Sequence, residues 1–152
     1  MLDGFFDVEN RLEVLSKQGD PLEVLNRVVP WELFRETLEG VRVKERKNKA
    51  GRKPYDVVLM FKILVLQSMY NLSDDAVEYQ ICDRLSFMRF LDLSLGARVP
   101  DAKTVWLFRE QLGKAGLVQS LFTQFDTHLR EHGFAAQKGQ IVDASIVQSP
   151  RQ

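Results

Sequence analysis

Apolar positions recur every three or four residues along most of the chain, and the periodicity predicts a series of short helices. Residues 9–18 give the first, with Leu12 and Leu15 on one side. In GDPLEVLNRVV, Asp20 is a helix cap, Pro21 suits the first turn, and Glu23 sits where a capping-box acid would. Leu22, Leu25, Val28 and Val29 then share one face. PWELFRETLEG (30–40) turns Leu33, Phe34 and Leu38 one way and is expected to end at Gly40. YDVVLMFKILVLQSMYN (55–71) is apolar nearly all round, the mark of a central buried helix that stops near Asn71 or Leu72.

Further breaks and stripes follow in order. Ser73 is placed to cap a helix reaching about Arg84, with Asp74 and Asp75 in the first turn, where the helix dipole favours acids. Ala76, Val77 and Ile81 form its inner side. SFMRFLDLSL (86–95) predicts a short helix broken at Gly96. Asp101 caps the next, whose stripe is Val105, Phe108 and Leu112 and whose end falls at Gly113 or Gly116. Residues 118–133 are amphipathic, with Leu121, Phe122, Phe125 and Leu129 inward. Past Gly139 the period changes to two: in QIVDASIV, Val142, Ala144 and Ile146 alternate with Asp143 and Ser145, as in a strand. The expected fold is mainly α, a helical region closed by one strand.

Composition adds little until charge is mapped by position. The 152 residues carry 21 basic and 21 acidic side chains, so net charge is zero. Residues 1–41 hold four bases against nine acids, whereas residues 42–54 hold seven bases against Glu45 alone. The positive charge is thus concentrated in VRVKERKNKAGRKP (41–54), which has no apolar period and reads as a linker. A single cysteine, Cys82, forbids an internal disulfide and fits a reducing cytoplasm; packing as a small residue accounts for it. The acidic N-terminus lacks the pattern of a signal peptide. The most apolar run, 57–66, is too short to cross a membrane, so no membrane is expected.

Three features bear on chemistry. Cations as dense as Arg42, Lys44, Arg46, Lys47, Lys49, Arg52 and Lys53 repel one another unless an anion is near; a phosphate backbone supplies one, and a solvated loop is the plainer alternative. Without interleaved aromatics, the run suits a duplex better than stacked single-stranded bases. The short helices from Ser73 to Leu112 resemble a helix-turn-helix module, or ordinary helical packing. In the first case the helix from Asp101 is the reader, with Lys103 and Thr104 in its first turn and Arg98 just before. His128 and His132, four apart, have the spacing of metal ligands but no third ligand nearby. No Gly-rich phosphate loop occurs. Asp143 is costly to bury in a strand unless it is paired or holds a cation, and costs nothing if its face is solvated.

Three motifs carry a resemblance to a known family. They are a GR-x-PY helix followed by YNLSD (residues 51–74), a PD-x-x-T-x-x-x-FR helix (100–109), and a VDA-S/T-IV strand (142–147), with PWELF as a weaker upstream match. In this order they resemble the N-terminal part of bacterial DDE transposases of the insertion-sequence-five family, over roughly residues 20–150.

The resemblance implies a helical DNA-binding region leading into an RNase H-like catalytic domain. In that family the acid of the VDA-S/T-IV strand is the first carboxylate of a triad that holds two divalent metals, here Asp143, with Mg²⁺ the expected ion. Nine residues follow Asp143. Asp101, Asp126 and Glu131 match neither remaining acid. The expectation is therefore a chain with an incomplete triad, holding no metal stably and not cutting DNA alone. A truncated gene, the first frame of a frameshifted element and a shortened chain are equally compatible with it. The domain layout expected is N-terminal helices at 1–41, the basic linker at 42–54, a helical DNA-binding domain at 55–135 and the first catalytic strand at 139–152. The expected function is binding of double-stranded DNA at terminal inverted repeats, by an oligomer in the bacterial cytoplasm near the nucleoid. The alternative is a partner that co-assembles with full-length transposase and inhibits it, through the apolar faces of helices 9–18 and 20–29.

Overall fold

The computed structural model describes residue 4, residues 6–45 (side chains through 42) and residues 53–146. Eight helices precede a two-stranded antiparallel sheet among these residues. The helices are α1 (Asp7–Gln18), α2 (Pro21–Val28), α3 (Arg35–Glu45), α4 (Val57–Tyr70), α5 (Asp74–Asp83), α6 (Leu85–Phe90), α7 (Ala102–Lys114) and α8 (Val118–Glu131). The strands are β1 (Phe134–Gln137) and β2 (Gln140–Asp143), and 3-10 turns span Trp31–Phe34 and Ala144–Ile146.

The central helix is α4, as its all-round apolar sequence predicts. Nine of its residues are buried, Phe61, Ile63, Val65 and Leu66 among them. The Asp56 carboxylate starts it by accepting from the amides of Val58 and Leu59, both at 3.2 Å. Asn71, in the left-handed conformation (φ 53), stops it. Around α4 the other helices contribute their stripes: Leu22 and Leu25 from α2, Leu38 and Val41 from α3, Val77 and Ile81 from α5. Val105, Phe108 and Leu112 of α7 and Leu121, Phe125 and Leu129 of α8 complete the core. Trp31 lies among Phe34, Phe61, Phe90 and Phe125, with ring centroids 5.6–6.3 Å apart. Its indole Nε1 donates to Asn26 Oδ1 at 3.0 Å, so its one polar group is satisfied.

Polar residues tie the helices together where apolar stripes end. Lys62 lies on α4 but reaches out of the core, donating to the Phe90 carbonyl at 2.9 Å. Burial lowers the pKa of this ammonium. Arg89 of α6 bridges α1 and α2, donating to the Leu12 carbonyl, to Ser16 Oγ and to Asp20. Arg109 of α7 grips Asp74 through both terminal nitrogens, at 2.7 and 2.8 Å, and Gln67 of α4 joins them. That last network holds α4, α5 and α7 in one arrangement.

Several expectations need correction. The helix from Arg35 does not end at Gly40 but runs to Glu45, because Leu38 and Val41 both bury against the core. Leu33 faces solvent, since Trp31–Phe34 is a 3-10 turn that rotates it away from Phe34. The 86–95 segment is helical only to Phe90; Asp92 takes a positive φ of 58 and turns the chain. Glu23 makes no capping box and instead pairs with Arg89 at 3.3 Å. Cys82 is exposed rather than packed. Finally, the C-terminal strand is not alone. β1 pairs with β2 in register from Phe134↔Asp143 to Gln137↔Gln140, and the extended segment ends at Asp143, where Ala144–Ile146 turns into a 3-10 helix.

Candidate nucleic-acid interface

The N-terminus of α7 is built by two acids. Asp101 caps it, accepting from the Thr104 amide at 2.8 Å, and Glu78 of α5 accepts from the Ala102 amide at 2.7 Å. The second bond fixes where α7 starts relative to α5. Its inward stripe, Val105, Phe108 and Leu112, is the predicted one. Helical spacing then puts Lys103, Trp106, Leu107, Glu110 and Lys114 on the opposite side, and all five are exposed.

A second construction lies where the chain enters α4. Arg98 sits over the Tyr55 ring, with its guanidinium carbon 4.0 Å from the centroid, and donates to the Lys53 carbonyl at 2.9 Å. Arg42 of α3 donates to the Tyr55 carbonyl and lies over the Phe108 ring at 5.9 Å. Two arginines therefore hold residues 53–55 from opposite sides in sequence, one from α3 and one from the approach to α7. Arg98 is exposed, whereas Arg42 is half-buried against the Phe108 ring.

The residues singled out from sequence fall into three groups. Arg42, Lys53 and Arg98 come together around Tyr55. Lys103 and Thr104 stand in the first turn of α7, Lys103 exposed and Thr104 half-buried, with Arg98 preceding them in the loop. Arg46, Lys47, Lys49 and Arg52 lie outside the described residues, as does the side chain of Lys44. The connection between α5 and α6 is the single residue Arg84, whereas α6 and α7 are joined by residues 91–101. That second link is longer than the three- or four-residue turn of the simplest helix-turn-helix. Residues the sequence reading passed over are Trp106 and Leu107, 46% and 44% exposed. The signal was available: both lie at helical spacing from Lys103 on the side away from the apolar stripe.

Asp143 ends β2 with its side chain exposed. Its Oδ1 accepts from both the amide and the hydroxyl of Ser145 at 2.8 Å, and those bonds hold the carboxyl below its usual pKa. Among the described residues no group of three or more His, Cys, Asp or Glu side chains could hold a metal ion. One carboxylate, turned back onto its own 3-10 turn, does not fit a two-metal centre, for which several carboxylate ligands must converge. The histidine pair fares no better: His132 Nδ1 is 2.9 Å from the His128 carbonyl oxygen, a local contact on the last turn of α8. No single helix among the described residues is long and apolar enough to cross a membrane.

No solved structure matches the chain. Residues 10–111, from within α1 almost to the end of α7, match the family described as Transposase domain (DUF772), and the chain belongs to that transposase-domain family.

Proposed function

We propose that this transposase-family chain binds duplex DNA at the terminal inverted repeats of a mobile element. Residues 42–54 contact phosphates and the outward side of α7 lies in a groove. The observation that carries the reading is the clamp around Tyr55. It ties Lys53 and Tyr55, at the end of the basic segment, to Arg98 in the approach to α7, which supports a reading in which that segment and the helix act on one duplex. Phosphate contacts position a protein on DNA and base contacts specify where; this reading gives the first task to the basic segment and the second to α7. In the finer reading, the family is that of insertion-sequence-five DDE transposases, and Asp143 is the first of three acids. The described residues do not fit the Mg²⁺ ions such a triad holds. The proposed setting is the bacterial cytoplasm, on DNA.

The test is a gel shift of the chain with duplexes carrying the element's terminal repeats and with random duplex, across a salt series. Binding that prefers the repeats, with affinity falling steeply as salt rises, is expected. Indifference to every duplex at low salt overturns the reading.

A second reading, co-assembly with further copies or with full-length transposase, draws on α1. That helix buries no residue fully and leaves Val14 45% exposed. The apolar face of α2 is unavailable for such a contact, because Leu22 and Leu25 are buried in the core. Size measurement of the isolated chain, before and after Val14→Glu, separates this reading from the first.

A further inference from the structure

An exposed tryptophan beside an exposed leucine calls for an explanation that packing does not supply. On α7 the core contact is complete with Val105, Phe108 and Leu112, each at most 3% exposed. Trp106 and Leu107 are turned from that core, adjacent in sequence, three and four residues beyond Lys103 and so each on its side of the helix. Lys114 lies two turns further along the same side, with Glu110 between, so a cation stands toward each end of the apolar pair. A face that is apolar in the middle and cationic at its margins complements the groove of a duplex. Phosphates line the two edges of the groove, and the thymine methyl is the apolar mark on its floor.

Resting on the reading of α7 as the DNA-contacting helix, we infer that Trp106 and Leu107 are specificity-determining residues that contact thymine methyl groups in the major groove. Lys103 approaches the base edges one turn earlier. The pair contributes sequence preference, whereas the cations around it contribute affinity for any duplex. Neither side chain anchors the fold, so both can be changed without opening the core.

The experiment uses the full chain with three duplexes: the terminal repeat, the same repeat with uracil in place of thymine, and a random sequence. For the unchanged chain, uracil substitution should weaken repeat binding by about tenfold, the size of one lost base contact. For the Trp106→Ala/Leu107→Ala variant, the repeat and its uracil form should bind alike, and the loss of affinity for the repeat should exceed that for random duplex, with an unchanged salt dependence. Trp106→Phe keeps a flat apolar ring and should retain most of the thymine preference. It also isolates the signal of Trp106, because the other tryptophan, Trp31, is buried; repeat DNA should change tryptophan emission in the parent and not in this variant. A double variant that keeps the full thymine preference overturns the inference and leaves DNA binding standing. A double variant that changes only self-association also overturns it, by assigning the face to a protein contact. Failure of the unchanged chain to bind any duplex overturns the reading of α7 beneath it.

Discussion

Gly139 lies against the ring of Tyr70, so near that a Cβ on the glycine would sit 2.9 Å from two of the ring carbons. Tyr70 is the last residue of α4 and Gly139 turns the chain from β1 to β2, so this contact joins the helical part to the hairpin that carries Asp143. Lys138 and Gly139 both have positive φ, 50 and 76, the conformation of a two-residue hairpin turn matched to strand twist.

Gly139→Ala should therefore destabilise the chain twice over, through the positive φ and through the ring. A loss of about 2–3 kcal/mol is expected from combining backbone strain with crowding. Gly116 has a similar φ of 71 but open space around it, so Gly116→Ala should cost only about 1 kcal/mol. Thermal or urea unfolding of the two variants checks the difference. Equal losses would show that Tyr70 yields without cost.

Asp74 and Arg109 make the stability pH-dependent. The bonds from Arg109 hold the Asp74 carboxyl below its usual range; burial opposes them, and the bond from Gln67 adds a lesser lowering. A carboxylate with a depressed folded-state pKa stabilises the fold above its unfolded value of about 3.9, and the contribution is lost as pH falls through the lower folded value. Acid unfolding of Asp74→Asn should consequently be shallower below about pH 4 than that of the parent. At neutral pH the variant should be weaker by about 1–3 kcal/mol, since Arg109 loses its charged partner. Parallel melts at pH 7 and pH 3 decide it: an unchanged difference between the two proteins would remove Asp74 as the titrating group.

The elements with their own start and stop signals were legible in the sequence. Ser73, Asp101 and Asn71 act as side-chain chemistry predicts, and α4, α5, α7 and α8 fall within a residue or two of their expected bounds. Legibility failed where tertiary contacts outweighed a local signal. Gly40 costs an exposed helix about 1 kcal/mol, less than burying Val41 returns, so α3 passes through it. FAAQ is too short to show a period, so β1 is not legible, although the Lys138-Gly139 turn is a usable hint. At the candidate interface the residue types were readable and their partners were not. Nothing in the sequence places Arg98 over Tyr55, a contact 43 positions away along the chain.

The division of labour between phosphate and base contacts gives a third prediction. Changing Arg46, Lys47, Arg52 and Lys53 together to Ala should weaken binding to repeat and random duplex alike. The salt slope should fall by about one for each phosphate contact removed. Lys103→Ala should instead narrow the gap between repeat and random duplex. Competition gel shifts at two salt concentrations separate the cases, and a quadruple variant altered only in sequence preference would reverse the assigned roles.

Arg98 tests whether the clamp matters beyond its charge. Its guanidinium stacks on Tyr55 and donates to the Lys53 carbonyl, two contacts that a lysine ammonium cannot make together with the same geometry. Arg98→Lys keeps the positive charge and removes the flat stacking surface. If the clamp positions the basic segment beside α7, this variant should bind every duplex about fivefold more weakly, a loss of about 1 kcal/mol, with an unchanged salt slope. Arg98→Ala should lower affinity further. Its salt slope should change by less than one, because the side chain acts mainly on Tyr55 and Lys53 rather than on phosphate. Arg98→Lys binding as tightly as the parent would reduce Arg98 to one more cation on the surface, and the segment from Lys53 to Tyr55 would then be held well enough by Arg42 alone.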